Sequence, residues 1–313
     1  MLPQKSASLY FERVFQMLEG SEKLAIIIVE FDSPDDTVKC LGTIEEYLGS
    51  NIKLYVYDNS SQKHTILEDK LNSLSVAYEY FWNGGNLGFA KACNLGLTKV
   101  REDGFAYAML LNNDTLLVDD SPLLALEVFE RNPDIGVLGL INYYVHNPSE
   151  VWQAGKRLRK SKLGFVSVVA TSDTEITFCD YVPGSSFIVR LSILETIGLL
   201  DEEYFAYYEE IDYCFRVKSS GMKVAYINDS KILHKVGASS SSAVKTYLKS
   251  RNKLYFYRSI LHSRLSFIVV VSLLLVKDLL LDLLRGGSLE TIKYTFLGVR
   301  DFRSGNMKLT RFS

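Results

Sequence analysis

The sequence predicts an α/β protein with a mainly parallel central sheet. Short apolar runs of strand type alternate with segments of helical type in its first third, and this alternation is typical of βαβ units. Polar clusters at 58–59, 86–94 and 112–114 follow predicted strands, where open parallel sheets bind their ligands. The chain has 313 residues, of which 47% are hydrophobic, and this is enough to bury a large core.

The first elements are predicted from apolar runs and turn signals. Residues 24–29 form a short isoleucine-rich run, which predicts a buried strand. A Ser-Pro-Asp start signal at 33–35 precedes a helix predicted over 36–48. Residues 52–57 and 76–82 predict two more strands, because turn-forming residues end each of them.

The later elements are predicted in the same way. A glycine-rich break follows the strand at 76–82 and leads into a helix from about 88 to 100. The apolar run at 105–111 predicts a strand that ends at Asn112. The second half is more mixed. Its predicted helices are 191–197 and 209–219, and its predicted strands are 164–170, 176–182, 223–227 and 231–236.

Composition argues against several classes of function. The formal net charge of -2 gives no reason to expect binding to nucleic acid. The four cysteines lie far apart without a CxxC pair, which predicts reduced thiols in a cytoplasmic protein and no cysteine-rich zinc site. The first residues lack the apolar run of a secretory signal peptide, and their apolar spacing predicts an amphipathic helical extension over 1–22.

A C-terminal helical region is predicted over 259–313, with a strongly apolar run at 265–284. The uncharged part of that run is too short for a membrane span, which needs about 20 apolar residues. One set of charged residues falls within a roughly 60° sector of a helix: Arg264, Asp278, Asp282 and Arg285. A narrow charged stripe on an apolar helix fits a peripheral membrane anchor. Packing on the chain's own domain or in a homodimer interface is the open alternative.

The segment Asn112-Asn113-Asp114 follows the strand predicted at 105–111. A carboxylate just past a buried strand is well placed to hold a hard divalent cation, which takes oxygen ligands and bridges phosphates. Such a cation would neutralise the charge on a departing nucleoside diphosphate. A plain turn is the alternative interpretation, because Asn and Asp favour turns.

A second acidic segment contains Glu209, Glu210 and Asp212, directly after the aromatic residues of 204–208. Aromatic surroundings disfavour an ionised carboxylate, which moves its pKa toward that of a useful general base. A helix N-terminus is the alternative, because acidic residues are favourable there. His234 stands alone near the end of a predicted strand, and such a histidine is structural unless Asp114 holds a metal nearby.

Glycines at 84, 85 and 88 separate a predicted strand from a predicted helix. Glycine in such a place allows the backbone to approach a nucleotide closely. The spacing differs from the G-x-G-x-x-G dinucleotide fingerprint, and the segment follows the third predicted strand instead of the first. A dehydrogenase is therefore a poor interpretation.

Taken in order, these segments resemble glycosyltransferase family 2 over about 24–258, and within it the rhamnosyltransferase-like group of bacterial surface polysaccharide synthesis. The segment from Asn86 to Ala90, with Asn94 and Gly96, is similar to the family's N-x-G-F motif, and 111–114 is similar to its metal-binding D-x-D. The remaining matches, in chain order, are 184–187, 198–202, 209–216, His234 and Arg251-Asn252. The resemblance implies a GT-A fold for a domain over 23–258.

The resemblance also implies a role for each matched residue. The residues implied to bind the nucleotide sugar are Asp58, Asn59, Asn86, Gly88, Asn94 and Asn113. Asp114 is the implied principal ligand of Mg²⁺ or Mn²⁺, with Asn112 and His234 assisting. Glu210 is the implied base, with Glu209 and Asp212 shaping the acceptor side, and the choice between Glu209 and Glu210 stays open.

The expected function is an inverting transfer of a sugar from a nucleotide diphosphate to a hydroxyl of a glycan or lipid-linked glycan. The resemblance suggests dTDP-rhamnose as the donor, with UDP-sugars next. The cysteine pattern and the apolar run at 265–284 lead us to expect a place in the cytoplasm or at the inner face of the cell membrane. Two departures, Glu30-Phe31-Asp32 after the first strand and Asn112 in the metal motif, leave a catalytically degenerate binding subunit as an alternative. A sugar-1-phosphate nucleotidyltransferase is disfavoured. Enzymes of that class have a basic, glycine-rich loop after the first strand, whereas residues 30–36 of this chain are acidic and lack glycine.

Overall fold

A computed structural model describes residues 24–159, 164–170, 174–236, 242–261, 263–284 and 289–307. The predicted extension at 1–22 lies outside these residues. The described strands are β1 (Leu24–Glu30), β2 (Ile52–Asp58), β3 (Ala77–Trp82), β4 (Tyr107–Asn112), β5 (Thr115–Leu117), β6 (Ile135–Gly139), β7 (Asn142–Tyr144), β8 (Asn147–Gln153), β9 (Gly155–Arg159), β10 (Gly164–Val168), β11 (Ile176–Phe178), β12 (Ser186–Arg190), β13 (Lys223–Ile227) and β14 (Ile232–His234).

The helices carry the connections between these strands and form the C-terminal region. They are α1 (Pro34–Leu48), α2 (Thr65–Ser73), α3 (Phe89–Glu102), α4 (Ser121–Arg131), α5 (Leu194–Ile197), α6 (Glu209–Ser219), α7 (Ser242–Ile260), α8 (Arg264–Leu284) and α9 (Leu289–Arg303). Short 3-10 turns add to these at Gly49–Asn51, Leu191–Ile193 and Glu202–Tyr204.

Eight strands form one mixed sheet in the order β11-β13-β6-β12-β4-β1-β2-β3. Strand β1 pairs in parallel with both β2 and β4, β3 continues in parallel on β2, and β13 is parallel to β6. Strand β12 runs antiparallel between β4 and β6. The predicted α/β class with a mainly parallel central sheet is confirmed.

Every residue of β1 is buried, as expected for a parallel strand covered by helices on both faces. Ala25, Ile27 and Val29 belong to the core on the α3 side, whereas Leu24, Ile26 and Ile28 face α1. This alternation follows from the two-residue period of a strand. Strand β1 is therefore covered on both faces. At the carboxyl edge of the sheet, the polar residues Glu30 and Asp58 lie side by side.

A smaller four-stranded sheet has the order β5-β14-β7-β8. It begins directly after β4, because only Asn113 and Asp114 separate β4 from β5. The antiparallel pairing of β14 with β5 puts His234 opposite Thr115. The small sheet thus carries the chain from 232–234 back to the carboxyl end of β4.

The C-terminal helices pack on the domain and on each other. Helix α9 crosses α7 at Gly298, where an added Cβ would lie 2.7 Å from the Tyr247 carbonyl oxygen. Helix α8 buries Val271 and Leu274 in the main core. Among the described helices, none combines the length and the apolar character that crossing a membrane requires.

Several elements were not predicted. Strand β12 lies in the middle of the sheet, but its short apolar run follows Gly184-Ser185, which has the composition of a turn. The strand predicted over 176–182 ends at Phe178, and Tyr181 makes only a bridge to Lys156. Helices α2 and α4 and strand β6 were also missed, since the connections after β2 and β4 were left without assignment.

Candidate active site

Asp58 ends β2 at the carboxyl edge of the sheet and is fully buried. Its Oδ1 accepts a hydrogen bond from the Ser60 amide at 2.8 Å, and its Oδ2 accepts one from the Tyr80 hydroxyl at 2.7 Å. Both oxygens are therefore held in fixed directions by neighbouring residues. Each carboxylate oxygen keeps a further lone pair with which it can accept a hydrogen bond from a ligand. Recognition of a nucleotide base by Asp58 stays a prediction.

Asn59 connects the end of β2 to the glycine-rich segment. Its Oδ1 accepts from Asn83 Nδ2 at 2.8 Å, and its Nδ2 donates to the Gly88 carbonyl at 3.3 Å. Asn86 is exposed, and its Oδ1 accepts from the Gly88 amide at 2.9 Å, which closes a tight turn. The segment predicted to approach a nucleotide thus lies beside Asp58 and Asn59, at the edge of the sheet where ligands bind.

Gly88 lies directly before α3 with a φ of 88°, a left-handed value that favours glycine. A Cβ at this position would lie 2.6 Å from Phe205 Cδ2 and 2.9 Å from the Phe205 carbonyl oxygen. The same carbonyl accepts from the Ala90 amide at 3.1 Å. Residues 204–208, which we call the aromatic loop, therefore pack against the N-terminal end of α3.

Two asparagines predicted to bind the donor are engaged inside the protein. Asn94 Nδ2 donates to the Leu200 carbonyl at 2.9 Å and to Glu202 Oε1 at 3.0 Å, and its Oδ1 accepts from the Leu200 amide. Asn113 Nδ2 donates to Glu30 Oε2 at 2.7 Å. These amides hold loops in place, and a role for either one in donor binding stays a prediction.

Glu30 is a buried carboxylate that the sequence analysis noted only as a departure from the family. Besides Asn113, it accepts from the Ser33 amide at 2.6 Å and from the Thr37 hydroxyl. Burial raises its pKa above the ordinary value, and these hydrogen bonds oppose the rise. Glu30 ties β1, the start of α1 and the end of β4 into one network below the edge of the sheet.

Asp114 and His234 meet at the junction of the two sheets. His234 Nε2 lies 3.1 Å from Asp114 Oδ1, although 120 residues separate them in the chain. The Lys235 amide donates to the Asp114 carbonyl at 3.0 Å, which keeps the end of β14 in place. The ring of Trp152 contacts the His234 ring edge-on, with centroids 4.7 Å apart. The structure thus brings together two of the three predicted metal ligands, although they are far apart in sequence.

The Asp114–His234 pair has the chemistry of a partial cation site. His234 Nδ1 is buried without a hydrogen-bond partner in the described part of the chain, so this imidazole is not satisfied by the protein alone. Among the described residues, no group of three or more His, Cys, Asp or Glu side chains is placed to hold a metal ion. Mg²⁺ sites in enzymes often use one or two protein ligands and complete their shell with phosphate oxygens and water. The residues therefore fit a cation shared with a diphosphate.

Glu209 and Glu210 open α6 directly after the aromatic loop. Burial raises the pKa of both carboxyls above the ordinary 4.5, and backbone hydrogen bonds and the charge of Lys249 oppose the rise at Glu210. Oε2 of each carboxyl is buried without a hydrogen-bond partner among the described residues. Glu209 as a whole is buried, whereas Glu210 is partly accessible. Of the two residues, Glu210 is the more exposed.

Asp212 is held by its own helix. Its Oδ2 accepts from Arg216 Nε at 2.8 Å, and its Oδ1 lies 3.4 Å from the Tyr204 hydroxyl. Arg216 in turn donates to the Ile197 and Leu199 carbonyls at 2.6 and 2.8 Å. Asp212 therefore anchors α6 to the preceding loop, and its predicted role on the acceptor side stays a prediction.

The turn at Gly184-Ser185 contacts both the acidic helix and the end of β4. The Asn112 amide donates to the Ser185 carbonyl at 3.2 Å, and the Cβ position of Gly184 lies 3.5 Å from Glu210 Cβ. Asn112 itself has a partly accessible side chain at the end of β4. The turn thus contacts the side chain of Glu210 on one side and, on the other, the backbone of Asn112, two residues before Asp114.

Two residues that border this site were not predicted from the sequence. Trp152 and Lys156 come from β8 and β9, and Lys156 carries a positive charge that acts on Glu210. Neither residue belongs to a recognisable motif. Trp152 reaches His234 because β7, the partner of β8, also pairs with the distant strand β14; Lys156 forms a bridge with Tyr181. Their signal was absent because tertiary pairing, and not local sequence, places them.

Comparison with known proteins gives a consistent result. The profile of the family described as "Glycosyltransferase like family 2" matches residues 23–255. Low-salt glycan biosynthesis hexosyltransferase Agl10 of Haloferax volcanii is 22% identical over 251 residues, which cover 76% of each chain. dTDP-rhamnosyl transferase RfbF of Shigella flexneri is 24% identical and covers 69% of this chain and 74% of its own. Rhamnosyltransferase WbbL of Escherichia coli K12 is 25% identical and covers 76% and 95%.

Solved structures show the same fold at low identity. The mannosyltransferase PcManGT of Pyrobaculum calidifontis, solved with GDP-Man and Mn²⁺, superposes with a TM-score of 0.59 at 11% identity and covers 97% of this chain and 95% of its own. GalNAc-T7, solved with UDP, GalNAc and Mn²⁺, has a TM-score of 0.56 at 14% identity over 75% of this chain and 51% of its own. The predicted GT-A fold is confirmed by these neighbours.

Proposed function

Because the chain belongs to the glycosyltransferase-like family 2 and is a glycosyltransferase, we propose that it transfers a sugar from a nucleotide diphosphate to a hydroxyl group with inversion, using Glu210 as the base. One observation carries this proposal. The carboxyl of Glu210, whose pKa is raised by burial, packs against Gly184, and the neighbouring Ser185 accepts a hydrogen bond from the amide of Asn112, two residues before Asp114. A general base needs such a raised pKa to accept a proton near neutral pH.

The proposed reaction needs no covalent intermediate with the protein. Glu210 takes the proton of the acceptor hydroxyl, and that oxygen attacks the anomeric carbon of the donor. The bond between this carbon and the diphosphate breaks on the opposite face, and the nucleoside diphosphate leaves. The charge of Lys249, which opposes the rise in the pKa of Glu210, helps to keep the carboxylate ionised for this step.

We propose Asp114 and His234 as the residues that hold Mg²⁺ or Mn²⁺, with Asn112 beside them. The ion would supply positive charge to the departing diphosphate. Support comes from the 3.1 Å contact between His234 Nε2 and Asp114 Oδ1, which puts one nitrogen ligand and one oxygen ligand side by side. The two structural neighbours that contain Mn²⁺ make the same class of cation reasonable for this fold.

The donor is a nucleotide-diphosphate sugar, and we propose dTDP-rhamnose before UDP-sugars. One relative is named a dTDP-rhamnosyl transferase and another a rhamnosyltransferase, whereas GalNAc-T7 was solved with UDP. The Asp58, Asn59 and Gly88 region at the sheet edge is the proposed nucleotide site. Asn86 and the other asparagines support its loops.

For the acceptor we propose a glycan on a lipid carrier, reached at the inner surface of the cell membrane. Helix α8 buries one face in the core, yet its opposite face is apolar and exposed. The exposed apolar residues recur at helical spacing on one side: Leu265, Ile268, Val269, Leu273 and Val276. An exposed apolar helix face of this kind fits the headgroup boundary of a bilayer. The structure does not describe Arg285 or the side chains of Asp278 and Asp282. A homodimer contact through this face is the other outcome that a binding experiment would reveal.

The central experiment is a donor panel with a matched pair of variants. Purified protein is incubated with dTDP-rhamnose, UDP-glucose, UDP-GlcNAc and GDP-mannose in Mn²⁺, and the release of nucleoside diphosphate is measured. We expect one donor to be turned over, and Glu210→Gln to lower kcat by about 10²- to 10⁴-fold, the usual contribution of a general base. Glu195→Gln, at an exposed position of α5, should retain wild-type rates. Wild-type turnover in Glu210→Gln would overturn the assignment of the base.

A further inference from the structure

The aromatic loop, 204–208, has an unfavourable backbone. Phe205, Tyr207 and Tyr208 have φ values of 63°, 70° and 82°, and none of them is glycine. Such conformations persist only where surrounding contacts impose them. This loop places both ends of the site, because Phe205 packs on Gly88 and Tyr208 immediately precedes Glu209 and Glu210. Whatever holds the loop therefore sets the position of the proposed base relative to the nucleotide site.

Asn252, on α7, holds the loop through its backbone carbonyls. Its Nδ2 lies 2.8 Å from the Tyr204 carbonyl, 2.8 Å from that of Ala206 and 2.7 Å from that of Tyr207. The two N–H groups of one side-chain amide thus lie within hydrogen-bond distance of three backbone carbonyls of the loop.

Arg251 supports Asn252 from behind. Its Nε donates to Asn252 Oδ1 at 2.9 Å, which fixes the orientation of that amide. Its terminal nitrogens donate to the carbonyls of Tyr204 at 3.1 Å, Glu203 at 3.2 Å and Met307 at 2.6 Å. All of these acceptors are uncharged oxygens, and Arg251 is fully buried. Burying a guanidinium costs solvation free energy, and these hydrogen bonds and the charges of Glu203 and Asp301 offset that cost.

We propose that Arg251 and Asn252 are positioning residues that impose the left-handed aromatic loop and thereby hold Glu210 in register with the Gly88 end of the nucleotide site. The final step, the effect on catalysis, rests on the proposed function. The effect on the loop does not.

The same contacts connect the loop to the C-terminal helices. Met307, whose carbonyl accepts a hydrogen bond from Arg251, follows α9. Helix α9 also packs on α7, where the Cβ position of Gly298 lies 2.9 Å from the backbone nitrogen of Arg251. Tyr247 also donates to Asp301 at 2.9 Å. The end of α9 is therefore part of the support of the aromatic loop, and the C-terminal region belongs functionally to the site.

The first test measures the loop itself by hydrogen exchange. In Asn252→Ala and Arg251→Met, amides within 204–210 should exchange about tenfold faster or more than in the wild type, because the local opening free energy falls. Two matched controls lie at the opposite end of the sheet. Asn132 caps α4 through the Val128 carbonyl, and Arg190 donates to the Phe129 and Ile135 carbonyls. Asn132→Ala and Arg190→Met should leave exchange in 204–210 unchanged.

The second test separates positioning from general destabilisation. With the active donor, Asn252→Ala should lower kcat by about 100-fold, as a small misplacement of a reacting group does, with a smaller change in the KM for the donor. Arg251→Lys retains the charge but lacks the planar fork, so it should give an intermediate loss. It also provides the readout should Arg251→Met fail to fold.

Two results would overturn the inference. Unchanged exchange at 204–210 in the folded Asn252 and Arg251 variants would show that other contacts impose the loop. If the Asn252 and Arg251 variants lose no more kcat than Asn132→Ala and Arg190→Met, the loop does not position the proposed base. Absence of transfer by the wild-type chain with every donor would count against the proposed function alone, since the exchange measurement would still decide whether Arg251 and Asn252 hold the loop.

Discussion

Replacing Gly88 by alanine tests whether the aromatic loop and the nucleotide site depend on one close contact. The substitution adds a single Cβ at a position with a φ of 88°. This atom would lie 2.6 Å from Phe205 Cδ2 and 2.9 Å from the Phe205 carbonyl oxygen. A ring can rotate away, but the carbonyl cannot move without losing its hydrogen bond from the Ala90 amide.

The expected magnitude has two parts. A left-handed backbone costs an alanine about 1–2 kcal/mol relative to glycine. Forcing an extra carbon into a packed contact costs a further 1–3 kcal/mol or so. Gly88→Ala should therefore lower the free energy of unfolding by roughly 2–5 kcal/mol. If the loop moves instead, the protein retains part of this stability but the nucleotide site is displaced.

The chain supplies a matched control for the backbone part. Gly104, which follows the C-terminal end of α3, has a φ of 84°, and nothing lies within 4 Å of its Cβ position. Gly104→Ala should thus lose only about 1–2 kcal/mol. The difference between the two variants measures the contact with Phe205, free of the backbone term.

Equilibrium unfolding in guanidinium chloride would give both stability changes, and calorimetry with dTDP and UDP in Mn²⁺ would give nucleotide affinity. We expect Gly88→Ala to bind its nucleotide about tenfold more weakly or worse, which corresponds to about 1.4 kcal/mol. Gly104→Ala should bind as the wild type does. Equal stability loss in the two alanine variants, with unchanged nucleotide binding, would refute the reasoning.

Three further predictions concern charge, metal and membrane. Burial raises the pKa of Glu209 in the folded state above its ordinary value of 4.5. The stability that Glu209 contributes is therefore present below pH 4.5 and is lost as the pH rises through the folded-state pKa. Glu209→Gln should be more stable than the wild type at pH 8 by roughly 1–3 kcal/mol, and the difference between their urea midpoints should vanish near pH 4. Mn²⁺ should quench the fluorescence of Trp152, and Asp114→Asn should weaken this titration about tenfold or more; equal quenching in both would remove Asp114 from the metal site. Leu273→Ser should weaken binding to vesicles containing phosphatidylglycerol about tenfold, whereas Ile66→Ser, at a position of the same 48% exposure, should not; concentration-dependent dimerisation without vesicle binding would favour the homodimer.

Much of the framework could be predicted from local pattern. The parallel strands β1, β2 and β4 and helices α1, α3 and α6 appear within a few residues of their predicted bounds. Their signals are apolar runs, turn residues and helix starts, all of which depend on neighbours in the chain. The position of Asp114 just past a buried strand followed directly from these assignments.

Other features depended on partners far away in sequence. Strand β12 is central because it lies between β4 and β6, yet its own residues give only a weak signal after a turn-like segment. The domain boundary predicted at 258 falls within α7, which ends at Ile260 and packs against α9. That boundary stays a prediction, and the contacts of Arg251 connect the two sides of it.

By itself, the sequence determined the fold class, the order of the main elements and the acidic and glycine-rich segments where chemistry was expected. Only the tertiary structure decided how their side chains are used. Asn94 and Asn113 are engaged in holding loops, whereas Asp114 and His234 meet across 120 residues through the pairing of β14 with β5. The physical reason is that secondary structure responds to residues within one or two turns, but the direction of a polar side chain is set by hydrogen-bond partners that only long-range pairing brings within about 3 Å.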